Sequence, residues 1–61
     1  MINKDNVLDF IIQYETEREM EYDDVIALFQ YLVDSGMVWS LQGSYGRTAN
    51  SLIESGLVNK L

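Results

Sequence analysis

The residues best suited to chemistry stand together between Trp39 and Arg47. The segment Gly43-Ser44-Tyr45-Gly46-Arg47 combines a flexible backbone, two hydroxyl groups and a guanidinium. At the start of a helix these groups can bind a phosphate or a carboxylate. The segment lacks the preceding strand and the Lys of a P-loop, so an internal ion pair between Arg47 and a nearby acid is the competing interpretation.

Other catalytic and metal-binding groups are scarce. The 61 residues include no His and no Cys, which leaves no imidazole base, no thiol nucleophile, no disulfide and no zinc finger. The acids from Glu15 to Asp24 are spaced for a solvated surface and not for a desolvated acid–base pair. We therefore expect a protein that is not an enzyme and that uses no metal or cofactor.

The charge balance restricts the classes of partner that the protein can bind. Ten acids oppose four basic residues, for a net charge of −6. Nucleic-acid binding requires clustered Lys and Arg, so it is disfavoured, as is an anionic membrane surface. No apolar run approaches the roughly 20 residues of a membrane span, and no signal-peptide pattern opens the chain. These features predict a cytoplasmic protein whose partner is another protein, with mimicry of DNA charge as an alternative use of the acidic stretch.

The elements that position these groups follow from the apolar period and from a repeated phrase. Leu32-Val33-Asp34-Ser35-Gly36 recurs 20 residues later as Leu52-Ile53-Glu54-Ser55-Gly56, and each copy is typical of a helix that ends at a glycine. We predict helices over about 6–18, 22–35 and 45–55, with a short connector turn over 37–42. Asn3 or Asp5 is expected to cap the first helix and Ser44 the third. Leu57 and Val58 are expected to fold back, with Asn59-Lys60-Leu61 as a tail.

The fold class that follows is all-α: a small three-helix domain, 1–61, with an additional short helical turn as an option. The apolar residues of the first helix cover roughly 200° of its surface, about twice what one packed face needs. A chain this small gains stability from self-association when disulfides and metals are absent. We therefore expect a homo-oligomer, most simply a homodimer.

Seven residues are candidates for a protein interface, each with a structural alternative. Trp39 either fills the junction of helices two and three or anchors a partner protein. Tyr31 is either half-buried by packing or an interface anchor. Gln42 either forms hydrogen bonds to backbone groups of the connector or binds a partner protein. Gly46, costly in a helix, indicates close approach by helix one, a second subunit or a ligand. The full candidate set is Phe10, Tyr14, Tyr31, Trp39, Gln42, Tyr45 and Arg47.

A family resemblance appears at the same segment. The pattern Trp39-x-Leu41-Gln42-Gly43-x-Tyr45-Gly46-Arg47-x-Ala49, preceded by residues 25–36, resembles a family of very small, functionally uncharacterised proteins of tailed bacteriophages. Tyr14-Glu15 also matches, whereas residues 17–20 depart from the expected connector glycine. The resemblance implies a phage accessory protein in the host cytoplasm. It brings no known activity or ligand.

Together these observations predict a non-enzymatic protein that binds, and by extension inhibits, a host or phage protein. Two alternatives remain open. Helices two and three could form a helix-turn-helix that binds nucleic acid, although the charge opposes it. The acidic chain could instead mimic DNA.

Overall fold

Three α-helices form where the sequence carries the 3.6-residue apolar period. The computed structural model describes residues 2–16 and 20–60. Within them α1 spans Val7–Thr16, α2 spans Tyr22–Ser35 and α3 spans Gly43–Glu54, and a 3-10 helix occupies Met37–Ser40 between α2 and α3. The described residues contain no strand. The predicted all-α three-helix fold is confirmed, including the extra helical turn.

A reciprocal pair of asparagines precedes α1. The Asn6 backbone N–H donates to Asn3 Oδ1 at 3.1 Å, and the Asn3 N–H donates to Asn6 Oδ1 at 2.8 Å. This arrangement is a capping box, in which each side chain satisfies a backbone donor. Asn3 is therefore the cap, and Asp5 is not. Residues 17 and 18, the expected end of the first helix, lie outside the described residues.

The two copies of the repeated phrase end their helices differently. Gly36 and Gly56 both have positive φ, 78° and 81°. At Gly56 the full Schellman pattern is present, because the Leu57 N–H donates to the Leu52 carbonyl at 3.0 Å. At Gly36 the Met37 N–H donates instead to Ser35 Oγ at 3.3 Å, and the chain continues into the 3-10 helix.

The start of α3 differs from the prediction. Ser44 is not the N-cap, since Gln42 holds that position with an extended backbone and no side-chain cap hydrogen bond. The Tyr45 N–H donates to the Gln42 carbonyl at 2.9 Å, so helical bonding begins two residues early. A serine cap is worth only about 1 kcal/mol, and the geometry of the connector overrides it.

The core lies where the three helices and the returning chain meet. The side chains with least exposure are Leu28, Phe29, Leu32, Ala49, Val38 and Val58, all at 0–1%. Val58 folds back as expected, but Leu57 remains 41% exposed, so only one of that pair joins the core. The radius of gyration is 10.6 Å, close to the roughly 10.5 Å expected for a folded domain of this length. None of the described helices is both long and apolar enough to cross a bilayer.

Asn59, directly after Val58, is held in place by the side chain of Gln30. The Asn59 N–H donates to Gln30 Oε1 at 2.8 Å, and Gln30 Nε2 donates to the Asn59 carbonyl at 3.0 Å. Gln30 Nε2 also donates to Asp34 Oδ1 at 2.9 Å. The Gln30 amide thus pairs with both backbone groups of Asn59, which corrects the expectation for this segment.

Candidate functional site

An aromatic cluster joins the three helices. Tyr14 of α1, Phe29 of α2 and Tyr45 of α3 have ring centroids 5.4–5.8 Å apart. Tyr14 meets Phe29 edge-on at 77°, and Phe29 stacks on Tyr45 at 29°. Such pairs add about 0.5–1.5 kcal/mol each beyond their burial. Two predicted interface residues, Tyr14 and Tyr45, therefore serve the core as well.

A hydrogen bond extends this cluster towards the surface. The Tyr45 hydroxyl donates to Glu15 Oε2 at 2.5 Å. Burial of the phenol, together with this bond and the negative charge of Glu15, raises the pKa of Tyr45 above its ordinary value. The neutral phenol therefore fixes the position of the carboxylate, which is itself exposed.

An open cleft lies beside this pair. Its volume is about 500 Å³, and it is lined by Tyr14, Glu15, Met20, Val25, Gln42, Ser44 and Tyr45. Small-molecule sites in proteins occupy about 300–1,000 Å³, so the cleft is large enough for a side chain or a small ligand. The cleft brings three of the predicted interface residues together: Tyr14, Gln42 and Tyr45.

The Tyr45→Phe variant tests the hydrogen bond. We expect the free energy of unfolding to fall by about 1 kcal/mol near neutral pH, because an exposed carboxylate loses one donor. Since the folded pKa of Tyr45 is raised, the wild type holds this contribution below the ordinary tyrosine pKa of about 10 and loses it as pH rises further. Urea unfolding at pH 8 and above pH 10 measures both effects.

The control for that experiment is Tyr22→Phe, because Tyr22 is 62% exposed. This variant is expected to keep the stability of the wild type and its alkaline loss. Equal alkaline loss in the two variants would contradict the role assigned to Tyr45.

Trp39 does not line the cleft and packs near Gly46. A Cβ added to Gly46 would be 3.7 Å from Trp39 Cζ3 and 3.8 Å from Trp39 Cε3. The close approach predicted at Gly46 is therefore made by this indole, and not by helix one. Trp39 is still 52% exposed, so it covers the helix junction only in part. A second cleft of about 290 Å³ adjoins it, with Asp34 and Lys60 in its lining.

Gly46→Ala is expected to be tolerated. The new methyl group would make ordinary van der Waals contact with the indole, and alanine favours a helix over glycine by about 1 kcal/mol. The midpoint of thermal unfolding should stay unchanged or rise. Gly36→Ala serves as the contrast, since its positive φ should make that variant less stable. A lower midpoint for Gly46→Ala would indicate a tighter contact than the one described.

The remaining predicted residues are dispersed. Phe10 and Tyr31 are partly buried against the core. Arg47 is exposed, with its guanidinium near Gly43, and it makes no ion pair within the described part of the chain. Neither the expected internal salt bridge nor a built anion site is present around it among those residues.

A family profile matches residues 1–61, and its description is domain of unknown function (DUF7417). The chain belongs to the DUF7417 family. No curated protein and no solved structure gave a match. Membership of DUF7417 agrees with the expectation of a small, functionally uncharacterised family.

Among its described residues, this DUF7417 domain holds no group of three or more His, Cys, Asp or Glu side chains placed to bind a metal. Sequence reasoning missed two polar side chains, Glu15 at the cleft and Gln30 at Asn59. Their partners lie 30 and 29 residues away in sequence, beyond the reach of any local pattern. The only signal was their presence in the motif that carried the family resemblance.

Proposed function

We propose that this DUF7417 protein is a non-enzymatic accessory protein of a tailed bacteriophage. It acts in the cytoplasm of the infected cell, where it binds a host or phage protein and inhibits it. The phage assignment rests on the Leu41-Gln42-Gly43-x-Tyr45-Gly46-Arg47 pattern. The observation that supports binding is apolar surface left outside a core that is already filled.

That surface is most continuous on α1. Leu8 is 61% exposed and Ile12 is 57% exposed, and the two residues stand one turn apart. Their neighbours Val7 and Ile11 are buried, so the core does not need them. Fully burying an exposed Leu or Ile side chain contributes about 1.5–3 kcal/mol, and covering the exposed part of Leu8 and Ile12 contributes the corresponding share of that free energy. We call Leu8 and Ile12 the outer stripe.

A second copy of the chain is the proposed occupant of the outer stripe. Two identical stripes related by a two-fold axis present the same apolar surface to each other, as an isologous dimer requires. Homodimerisation also suits a domain of this size, which has little stability to spare. Trp39, half-exposed on another face, is then left for the partner protein.

Replacing Leu8 and Ile12 together by Ser is expected to convert a dimer into a monomer. The variant loses the apolar surface that drives association while its buried core is unchanged. Light scattering coupled to size-exclusion chromatography measures the mass directly. The matched control is Asp9→Ser with Gln13→Ser, exposed on the same helix at the same spacing. A monomeric wild type, or a dimer that survives the double change in the outer stripe, would contradict the dimer.

Co-purification from infected cells tests partner binding. The tagged wild-type chain is expected to retain one protein above background, identified by mass spectrometry. Trp39→Ser is expected to lose that protein, whereas Tyr22→Ser, at an aromatic residue of similar exposure, is expected to keep it. Recovery of nothing above background with the wild type would count against the proposal.

The net charge of −6 favours one second candidate, an acidic mimic of DNA. Its discriminating test is competition with DNA for a basic host enzyme. The helix-turn-helix alternative has less support. Residues 36–42, which include the 3-10 helix, separate α2 from α3, whereas that motif has a turn of about 3–4 residues. Tight binding in a mobility-shift assay at low salt would restore it.

A further inference from the structure

The cleft beside Tyr45 carries a specific combination of groups. One wall consists of the Tyr14 and Tyr45 rings, whose centroids are 5.7 Å apart. Met20 and Val25 add apolar surface, and Glu15 is the one acid that lines the cleft within residues 2–16 and 20–60. Aromatic faces, an apolar wall and a carboxylate are the groups that attract an organic cation.

The polar atoms of the cleft have bonding capacity to spare. The Tyr45 hydroxyl engages Glu15 Oε2, and Glu15 Oε1 has no hydrogen-bond partner among the described residues. The Gln42 side chain makes no capping bond, and neither it nor the Ser44 hydroxyl has a partner within the same residues. Glu15 Oε1 can only accept, whereas the Gln42 amide and the Ser44 hydroxyl can either accept or donate. All three can therefore accept hydrogen bonds from a ligand that supplies donors. A guanidinium supplies five donors and no acceptor.

We propose that this cleft binds the guanidinium group of an arginine side chain, with Glu15 as its counter-ion and the Tyr14 and Tyr45 rings as its stacking surface. Arginine fits better than lysine, because its planar group stacks on rings, is more weakly hydrated and bonds a carboxylate in two places. Its methylene stem packs on Met20 and Val25. The inference concerns the ligand chemistry of the cleft and holds whether or not the chain dimerises through the outer stripe.

Charges near the cleft favour a cation over an anion. The first N–H groups of α3 carry partial positive charge and would favour an anion. An anion there would also lie beside the full charge of Glu15, in a chain of net charge −6. Arg47 is not among the lining residues and is about 160° from Tyr45 around α3.

The test titrates the full chain, labelled with nitrogen-15, with N-acetyl-arginine-N-methylamide and follows its amide NMR signals. Saturable shifts are expected at Glu15, Ser44 and Tyr45. The lysine analogue should bind more weakly, and the norleucine analogue, which has no charge, should not bind. Glu15→Gln keeps the shape of the side chain and an acceptor for Tyr45, and should weaken arginine binding by at least about tenfold.

Glu54→Gln is the matched control, because it makes the same chemical change at an exposed residue of α3 outside the cleft. It should leave the affinity within about twofold of the wild type, since a distant surface charge is largely screened. Tyr14→Leu, which removes one ring face, should also weaken binding. Equal binding of the arginine and norleucine probes, equal effects of Glu15→Gln and Glu54→Gln, or shifts confined to other residues would overturn the proposal. Because the probe is a small molecule, failure of the co-purification experiment would not affect the measured binding of arginine to the cleft.

Discussion

Phe29→Ala is expected to leave the chain largely unfolded at 25 °C. Phe29 is completely buried and touches the rings of α1 and α3, so its removal opens a cavity at the meeting point of all three helices. Replacing a buried Phe by Ala costs about 3–5 kcal/mol. A single hydrophobic core in a domain of 61 residues supplies only about 3–5 kcal/mol of net stability, so this loss removes most or all of it. The ellipticity at 222 nm should fall towards that of an unfolded chain.

Two companions make the Phe29 result specific. Leu8→Ala removes a large apolar side chain, as Phe29→Ala does, but from an exposed position. This variant should retain the helical circular dichroism spectrum under conditions where the chain is monomeric. Phe29→Leu keeps most of the volume, so it should be destabilised yet folded. A native spectrum and native denaturant midpoint for Phe29→Ala would show that the aromatic cluster does not hold the helices together.

Ending the chain after Leu57 is expected to produce the second-largest loss. The truncation removes Val58, which is 1% exposed, and both hydrogen bonds between Gln30 and Asn59. Burial of a Val side chain contributes about 1.5–3 kcal/mol, and each hydrogen bond about 0.5–1.5 kcal/mol. We expect a loss of about 3 kcal/mol or more, measured by urea denaturation. The Schellman end of α3 also loses its Val58 bond to the Leu52 carbonyl.

The controls divide this loss into its parts. Ending the chain after Asn59 keeps Val58 and both Gln30 bonds, so its stability should be close to that of the full chain. Gln30→Ala removes the hydrogen bonds but leaves Val58 buried, and should lie between the two. A truncation after Leu57 that unfolds at the wild-type midpoint would mean that the returning segment contributes nothing.

Local signals predicted most of the helical architecture. The glycine at position 36 placed the end of α2 at Ser35, and the apolar period located the three helices. These signals act over a few residues, within one turn of helix. The prediction of Ser44 as the cap of α3 also used a signal of this short range, and it was wrong. A capping preference of about 1 kcal/mol is easily outweighed by the path of the connector.

The candidate site was much less predictable, because its parts come from distant positions. Tyr14 and Tyr45 were candidates for a protein interface, and only the packing of three helices shows that they share a core cluster. Glu15 belonged to an acidic stretch, and only its place in the motif that carried the family resemblance set it apart from its neighbours. Its place at the cleft depends on a tyrosine 30 residues later.

The position of Trp39 decides what the optical signal of this protein reports. The one tryptophan lies half-exposed against Gly46, outside the aromatic cluster, and the cluster itself contains only Tyr and Phe. Indole fluorescence will therefore respond to quenchers in the native state and will follow events at the 3-10 helix. That signal does not report directly on the Tyr14, Phe29 and Tyr45 cluster, because Trp39 is not part of it. Near-ultraviolet circular dichroism of the tyrosines reports on the core. Trp39 fluorescence instead reports the binding of a partner at the surface around Trp39.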